Sequence, residues 1–139
     1  MEINIYLQSK KIDADYDNAI KEYIKRTSPW CKIKVHALKS LDKLTLKKGA
    51  KVYLVTPGTN TPSSPSLAEL INDIGIYGFS SIDFIISPEN DKNHVTLTNL
   101  NADIFNLSSF SMDSVLTCVV LTEQLYRAYT ILNNIVYHK

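Results

Sequence analysis

The sequence is poor in the residues that build special-purpose scaffolds. It holds two cysteines, Cys31 and Cys118, in 139 residues. They are too few and too far apart for a disulfide framework or a zinc site, so a reducing, cytoplasmic setting is the expectation. It has four glycines, which leaves little for a glycine loop that cradles phosphate. No G-x-G-x-x-G, P-loop, G-x-S-x-G or H-E-x-x-H run occurs. His36, His94 and His138 are widely scattered, and no metal is expected. No apolar run reaches the ~18 residues of a membrane span. The opening Met1-Glu2-Ile3-Asn4-Ile5-Tyr6 lacks the basic-then-apolar order of a secretory signal. An excess of one charge is missing too: fifteen Lys+Arg face fourteen Asp+Glu, a net charge of +1. That excludes a module that grips nucleic acid by bulk charge, and leaves room for a local basic patch.

What is present is globular: 45% hydrophobic and 21% charged residues. The length fits one domain spanning 1–139, by the usual ~100–200 residues per domain. Residues 2–8 alternate as a strand, with Ile3, Ile5 and Leu7 on one face and Asn4, Tyr6 and Gln8 on the other. A helical rhythm follows over 13–27 (Tyr16, Ala19, Ile20, Tyr23, Ile24), capped by Asp13 or Asp15 and ended by Ser28-Pro29. Residues 31–38 alternate again. Residues 39–51 carry five lysines, Lys39, Lys43, Lys47, Lys48 and Lys51, and read as a short turn or helix fragment leading to Gly49.

Val52–Val55 is a buried-type strand, broken by Thr56-Pro57-Gly58-Thr59-Asn60. Ser64-Pro65 reads as an N-cap with proline at the first helical position, opening a helix to about Ile76 that stops near Gly78. Residues 82–86 form another buried strand, ended by Ser87-Pro88. Residues 89–101 are polar, a loop with room for one helical turn. A strand at 102–105 leads into the loop 107–112. The longest periodic segment, 113–134, is a helix capped by Asp113 or Ser114 and closed by Asn133-Asn134. The alternation of strands and helices predicts an α/β domain with a mostly parallel sheet. Ligands in such sheets sit beyond the carboxyl ends of strands, which points to 56–60, 87–91 and 107–112.

The last third carries a more specific signal. Asn106-Leu107-Ser108-Ser109-Phe110-Ser111-Met112 is followed by Glu123-Gln124-Leu125-Tyr126-Arg127-Ala128-Tyr129, and then by Tyr137-His138-Lys139. This constellation resembles the ribosomal RNA large subunit methyltransferase H family, small SPOUT (α/β-knot) enzymes, and residues 105–139 align to its pattern without a gap. Glu22-Tyr23-Ile24-Lys25-Arg26, Leu54 followed by Pro57-Gly58, and Ala68-Glu69-Leu70 extend the likeness over nearly the whole chain. The 39–51 region is shorter than the family's, which usually has another helix there.

The resemblance implies an α/β knot: a mostly parallel sheet flanked by helices, with a C-terminal trefoil knot, one of the rare exceptions to unknotted chains. It implies S-adenosylmethionine (SAM) as cofactor and a homodimer whose active sites are shared between subunits. The implied substrate is N3 of a pseudouridine in helix 69 of 23S rRNA, within the assembled ribosome, with neither membrane nor metal involved. Carried over by position, the cofactor contacts are Leu54, Ser87, Leu107, Ser108, Ser109, Phe110, Ser111 and Met112. The candidate catalytic residues are Arg127, Tyr137 and His138. A methyl transfer to an imide nitrogen needs aligned reactants and an outlet for the imide proton. Arg127 suits an anion or a phosphate, Tyr137 can position the base, and His138 offers an imidazole, a group that titrates near neutrality.

The chain departs from the family pattern in four places. Ser87-Pro88 stands where the family has a glycine pair, Asp113-Ser114 where it has Pro-His, Cys118 where it has a basic residue, and Ile135-Val136 where it has His-Pro. These departures carry a rival reading: a knotted relative that binds RNA or the ribosome without transferring methyl. Methyl transfer to another substrate is a third. Individual residues have plainer readings as well. Glu123 and Arg127 are spaced as an ordinary i,i+4 helix pair. Tyr126 and Tyr129 suit a core or a dimer face, and His138 a solvated tail. The 39–51 lysines suit a solvated face or rRNA phosphates, Cys118 the core and Asp113 an N-cap.

Overall fold

The computed structural model describes residues 1–42, 44–88 and 100–139. Lys43, His94 and most of the 89–101 segment fall outside the described residues. The described strands are β1 (Glu2–Gln8), β2 (Lys32–Leu38), β3 (Ala50–Val55), β4 (Ser81–Ile86) and β5 (Asp103–Phe105). The described helices are α1 (Ala14–Thr27), α2 (Ser64–Ile76) and α3 (Ser114–Leu132). The strands form one sheet in the order β2-β1-β4-β3-β5, and every neighbouring pair is parallel. The expected α/β class with a parallel sheet is the one observed.

Strand pleating sorts the core onto two faces, because successive side chains alternate. Ile3, Ile5, Leu7, Ile33, Val55, Ile82, Phe84, Ile86 and Phe105 share one face and pack with the buried residues of all three helices. α3 lies against both α1 and α2, and its Leu121, Leu125 and Ala128 are fully buried. Each buried leucine there contributes about 1.5–3 kcal/mol through burial alone. The opposite face holds a smaller cluster, Leu41, Leu54 and Ile85, joined by Tyr6, Val52 and residues of the 38–46 and 100–102 segments. Among the described residues no helix contributes to it.

Local signals account for the boundaries. α2 begins one residue earlier than the Ser-Pro signal implies. Ser63, not Ser64, is the N-cap, and its Oγ accepts the Ser66 N–H, which leaves Pro65 in the first turn. Gly78 ends that helix at φ +87°, a conformation open to glycine and costly for most other residues. Asp113 caps α3, its Oδ1 accepting the Leu116 N–H at 2.8 Å. β3 starts at Ala50, earlier than the apolar run suggests, because Ala50 and Lys51 pair with Ser81 and Ile82. The described part of 39–49 is irregular and contains no helix.

Candidate active site

Three loops meet beyond the carboxyl ends of β3, β4 and β5. The Thr56 N–H donates to the Phe105 carbonyl at 3.1 Å, the Gly58 N–H to Ser108 at 3.1 Å, and the Ser87 N–H to Val55 at 3.2 Å. Asn106 reinforces the joint, its Nδ2 donating to the Thr56 carbonyl at 3.0 Å. A Cβ on residue 58 would collide with the Asn106 side chain, so a larger residue there must displace the Asn106 amide from Thr56.

These loops enclose a cavity of about 470 Å³, within the ~300–1,000 Å³ typical of small-molecule sites. Val55, Ile86, Leu107 and Met112 supply apolar walls, while Thr56, Ser87, Ser108, Ser111 and Thr117 supply polar groups. Pro88 and Phe110 also line it. Phe110 is 79% exposed and stands at the mouth, its N–H held by Ser108 Oγ at 3.0 Å. Ser87-Pro88 borders an open space rather than filling it.

The expected cofactor residues fall in three places. Ser87, Leu107, Ser108, Phe110, Ser111 and Met112 line the cavity. Ser109 faces a neighbouring hollow of about 390 Å³, together with Ser63, Ser64 and Gln124. Leu54 is 1% exposed and packs on Leu41 and Ile85 behind the sheet. Strand alternation turns its side chain away, and its neighbour Val55 faces the cavity instead. Val55, Thr56, Pro57, Ile86 and Thr117 were not singled out individually by the sequence, although the strand-end rule had marked the segment containing Thr56 and Pro57.

At the other end of α3 the chain turns back, and Arg127, Tyr137 and His138 come together. The Glu123 carboxylate organises them. Its Oε1 accepts from Arg127 Nη2 at 2.6 Å, from Arg127 Nε at 3.0 Å and from the Tyr137 hydroxyl at 3.1 Å. Its Oε2 accepts from Gln124 Nε2 at 2.9 Å. The guanidinium lies 5.0 Å from the centre of the Tyr137 ring, a cation–π distance, and Tyr137 meets Tyr126 edge-on at 4.7 Å. Burial and the Glu123 charge push the Tyr137 phenol up to about 12, so at neutral pH it donates and does not act as a base. Hydrogen bonding to Glu123 also raises the Arg127 guanidinium.

Arg127 Nη1 stands 3.2 Å from His138 Nδ1. A guanidinium can only donate, so Nδ1 is the acceptor and the imidazole proton resides on Nε2. His138 therefore turns Nδ1 toward Arg127 and leaves Nε2 to its surroundings. Glu123, which the sequence offered as an ordinary helix pair, is the residue on which this cluster depends. The Glu-x-x-Tyr-Arg spacing was the available signal. Cys118 is fully buried in α3, and burial pushes its thiol up to about 12, which makes it an inert core residue.

Comparison with known proteins agrees with the residue patterns. A family model described as "Predicted SPOUT methyltransferase" matches residues 1–138. The chain is 35% identical over 141 residues to "Ribosomal RNA large subunit methyltransferase H 1" of Thermoanaerobacter sp., covering the whole of both chains. It is 30% identical over 160 residues to the methyltransferase H of Limosilactobacillus reuteri, again covering both chains fully. The chain belongs to the SPOUT methyltransferase family. Its relatives carry the name of the methyltransferase H branch, as the motifs in the last third led one to expect, and the rival non-catalytic reading is not favoured.

The cavity and the Arg127 cluster lie apart within one chain. Thr117, which lines the cavity, and Arg127 are ten residues apart on one helix, about 15 Å at 1.5 Å per residue. No group of three His, Cys, Asp or Glu that could hold a metal occurs among the described residues. No helix among them is long and apolar enough to cross a membrane.

Proposed function

We propose that this protein methylates large-subunit ribosomal RNA, at N3 of a pseudouridine in helix 69 of 23S rRNA, with SAM as methyl donor. The observation that carries the mechanism is the separation of the cavity from the Arg127 cluster along α3. A methyl donor in the cavity of one subunit is out of reach of that subunit's own Arg127, Tyr137 and His138. A homodimer that places the tail of one subunit over the cavity of the other completes the site. The proposal takes residues 1–139 as one methyltransferase domain with the family's C-terminal trefoil knot, acting in the cytoplasm on assembled ribosomes.

The cavity fits the cofactor in size and chemistry. Leu107, Met112, Ile86 and Val55 would hold the flat adenine, and the hydroxyls of Thr56, Ser108 and Thr117 offer hydrogen bonds to the base and the sugar. SAM supplies an electrophilic methyl group on a sulfonium. The chain's own residues then have distinct tasks. The loops would hold the donor in place, and displacement depends on its methyl being aligned with the attacking nitrogen. Arg127 steadies the negative charge that develops as the imide proton leaves. Tyr137, whose hydroxyl proton is held by Glu123, positions the pyrimidine with its ring and can accept from it at the phenol oxygen. His138 takes the proton at Nδ1 as Arg127 swings from the imidazole to the substrate.

Methylation of ribosomes with labelled SAM tests this reading. Arg127→Ala and Gly58→Val should each be inactive when assayed separately. Mixed and re-associated in equal amounts, they should recover about a quarter of wild-type activity, since half the dimers then hold one intact site. Failure to recover would refute the shared site, and a wild-type protein that leaves ribosomes unmethylated would refute the substrate.

A further inference from the structure

The sheet face that none of the described helices covers carries a second organised surface. Outward positions of β1 are Glu2, Asn4, Tyr6 and Gln8, and they pair in register with Lys32, Lys34, His36 and Leu38 of β2. Asp83 of β4, 1% exposed, accepts from Asn4 Nδ2 at 3.0 Å and from Ser81 Oγ at 3.3 Å. This fixes the Asn4 amide, so its Oδ1 faces His36 and accepts from His36 Nε2 at 3.1 Å. The imidazole is thereby held parallel to the Tyr6 ring, 4.6 Å between centres and 13° between planes. Both rings are half-buried. β2 is the outermost described strand, so His36 stands at the edge of the sheet.

Positive charge runs along the same edge. Lys32, Lys34 and His36 occupy alternate positions on one strand face, about 6.6 Å apart. Lys34 Nζ pairs with the Glu2 carboxylate at 2.8 Å. A hydrogen bond from Lys34 holds that carboxyl below its usual range, with Lys47 and Lys32 adding their charge, so three ammonium groups surround one surface acid. Lysine on an edge strand also guards against strand pairing. A guard, however, needs no ring stack braced by buried polar groups, which carry a desolvation cost unless all are paired. The described part of 39–49 is irregular, and its Leu41, Leu44 and Leu46 pack on the sheet beside this stack.

We propose that this edge is a docking surface for RNA, with an unpaired base lying on the free face of His36 and backbone phosphates meeting Lys32, Lys34 and Lys47. The combination of a ring platform and flanking cations is the chemistry by which unstacked RNA is held. The inference rests on ribosomal RNA as the substrate, and it adds a contact on the side of the sheet away from the three helices. Such a contact lets a small, nearly neutral protein settle on its substrate in one orientation.

Filter binding of the full-length protein to purified bacterial large ribosomal subunits, at graded salt, tests the proposal. Three proteins are compared: wild type, Lys32→Gln with Lys47→Gln, and His36→Gln, which keeps a donor for Asn4 and removes the ring. The double variant should bind at least tenfold more weakly at low salt. Its slope of log affinity against log salt should flatten by about 1.4, two phosphate contacts at ~0.7 each. His36→Gln should lose about fivefold or more with the slope unchanged. SAM titration and thermal melting of each variant should match wild type. If both variants bind subunits like wild type, the docking surface is refuted and the methyltransferase reading stands. If wild type itself does not bind the subunits, the ribosomal substrate falls and this surface falls with it. A photo-cross-linker at position 32 that captures a ribosomal protein instead of rRNA would also overturn the proposal.

Discussion

The two ends of α3 are built from different materials. At its N-terminal end the cavity is shaped by backbone: loop N–H groups and carbonyls bind one another, and the side chains that face inward are small hydroxyls or apolar groups. At its C-terminal end the Arg127 cluster is shaped by side chains alone, with one carboxylate holding a guanidinium and a phenol. A site made from backbone tolerates most changes of residue, because every residue but proline brings the same N–H and carbonyl; at Ser87-Pro88 the bond to Val55 comes from the Ser87 N–H. Ser87-Pro88 in place of a glycine pair is such a change. A site made from side chains has no such tolerance, and Glu123, Arg127, Tyr137 and His138 each act through atoms no neighbour can replace.

The largest expected effect lies at the side-chain end. Arg127→Ala should slow methyl transfer by about 10²–10³-fold, the usual loss for a donor aimed at developing charge, while calorimetric SAM binding stays at the wild-type value. Equal loss of SAM binding would erase the contrast between the two ends. Next comes the backbone end, where Gly58→Val forces the Asn106 side chain from its place. Overpacking of this kind costs about 1–3 kcal/mol, visible in the melting temperature, and SAM affinity should fall while the Arg127–Glu123 pair persists.

Glu123→Gln should cost less. The amide keeps an oxygen for Arg127 and loses the charge, so kcat should drop by about tenfold, equivalent to ~1.4 kcal/mol, with SAM binding unchanged. Lysine substituted for Arg127 should not restore the lost rate in either background, since it lacks the planar fork.

The smallest effect is a pH dependence. The folded Tyr137 phenol sits near 12, above the ~10 of an unfolded tyrosine. A group whose proton is held more tightly in the folded state contributes stability below its unfolded value and loses it as pH rises through the folded one. Wild type should therefore lose stability between pH 10 and about 12 by a step that Tyr137→Phe lacks. Identical pH profiles for the two would show that the tail is not held by this contact.

Much of the fold was legible in the residues. Periodicity found α1 and α3 within a residue or two, and Ser28-Pro29 and Gly78 marked real ends. Asn4 shows where such reading stops. Alternation put it on the polar face, and it does lie there, yet it is 5% exposed because Asp83, seventy-nine residues away, binds it. The sheet order and the irregular path of the described part of 39–49 depend on contacts of that range and leave no local trace. At the site, the strand-end rule located the loops, while Leu54 and Ser109 turn elsewhere because side-chain direction depends on a pleat and a loop path. The cluster at the tail was found by motif, and Glu123's part in it emerged only once Tyr137 folded back.

The strand order has a consequence for how the molecule comes to be. β1 has β2 on one side, about thirty residues along, and β4 on the other, about eighty residues along. A chain growing from its N-terminus can form the β1-α1-β2 unit early, but the inner edge of β1 then stays bare until β4 has been made. During that interval an apolar strand with unpaired N–H and carbonyl groups is open to any passing chain. Pairings this distant in sequence are closed slowly. Refolding should therefore be concentration-sensitive, and a fragment ending before residue 81 should aggregate where the whole chain does not.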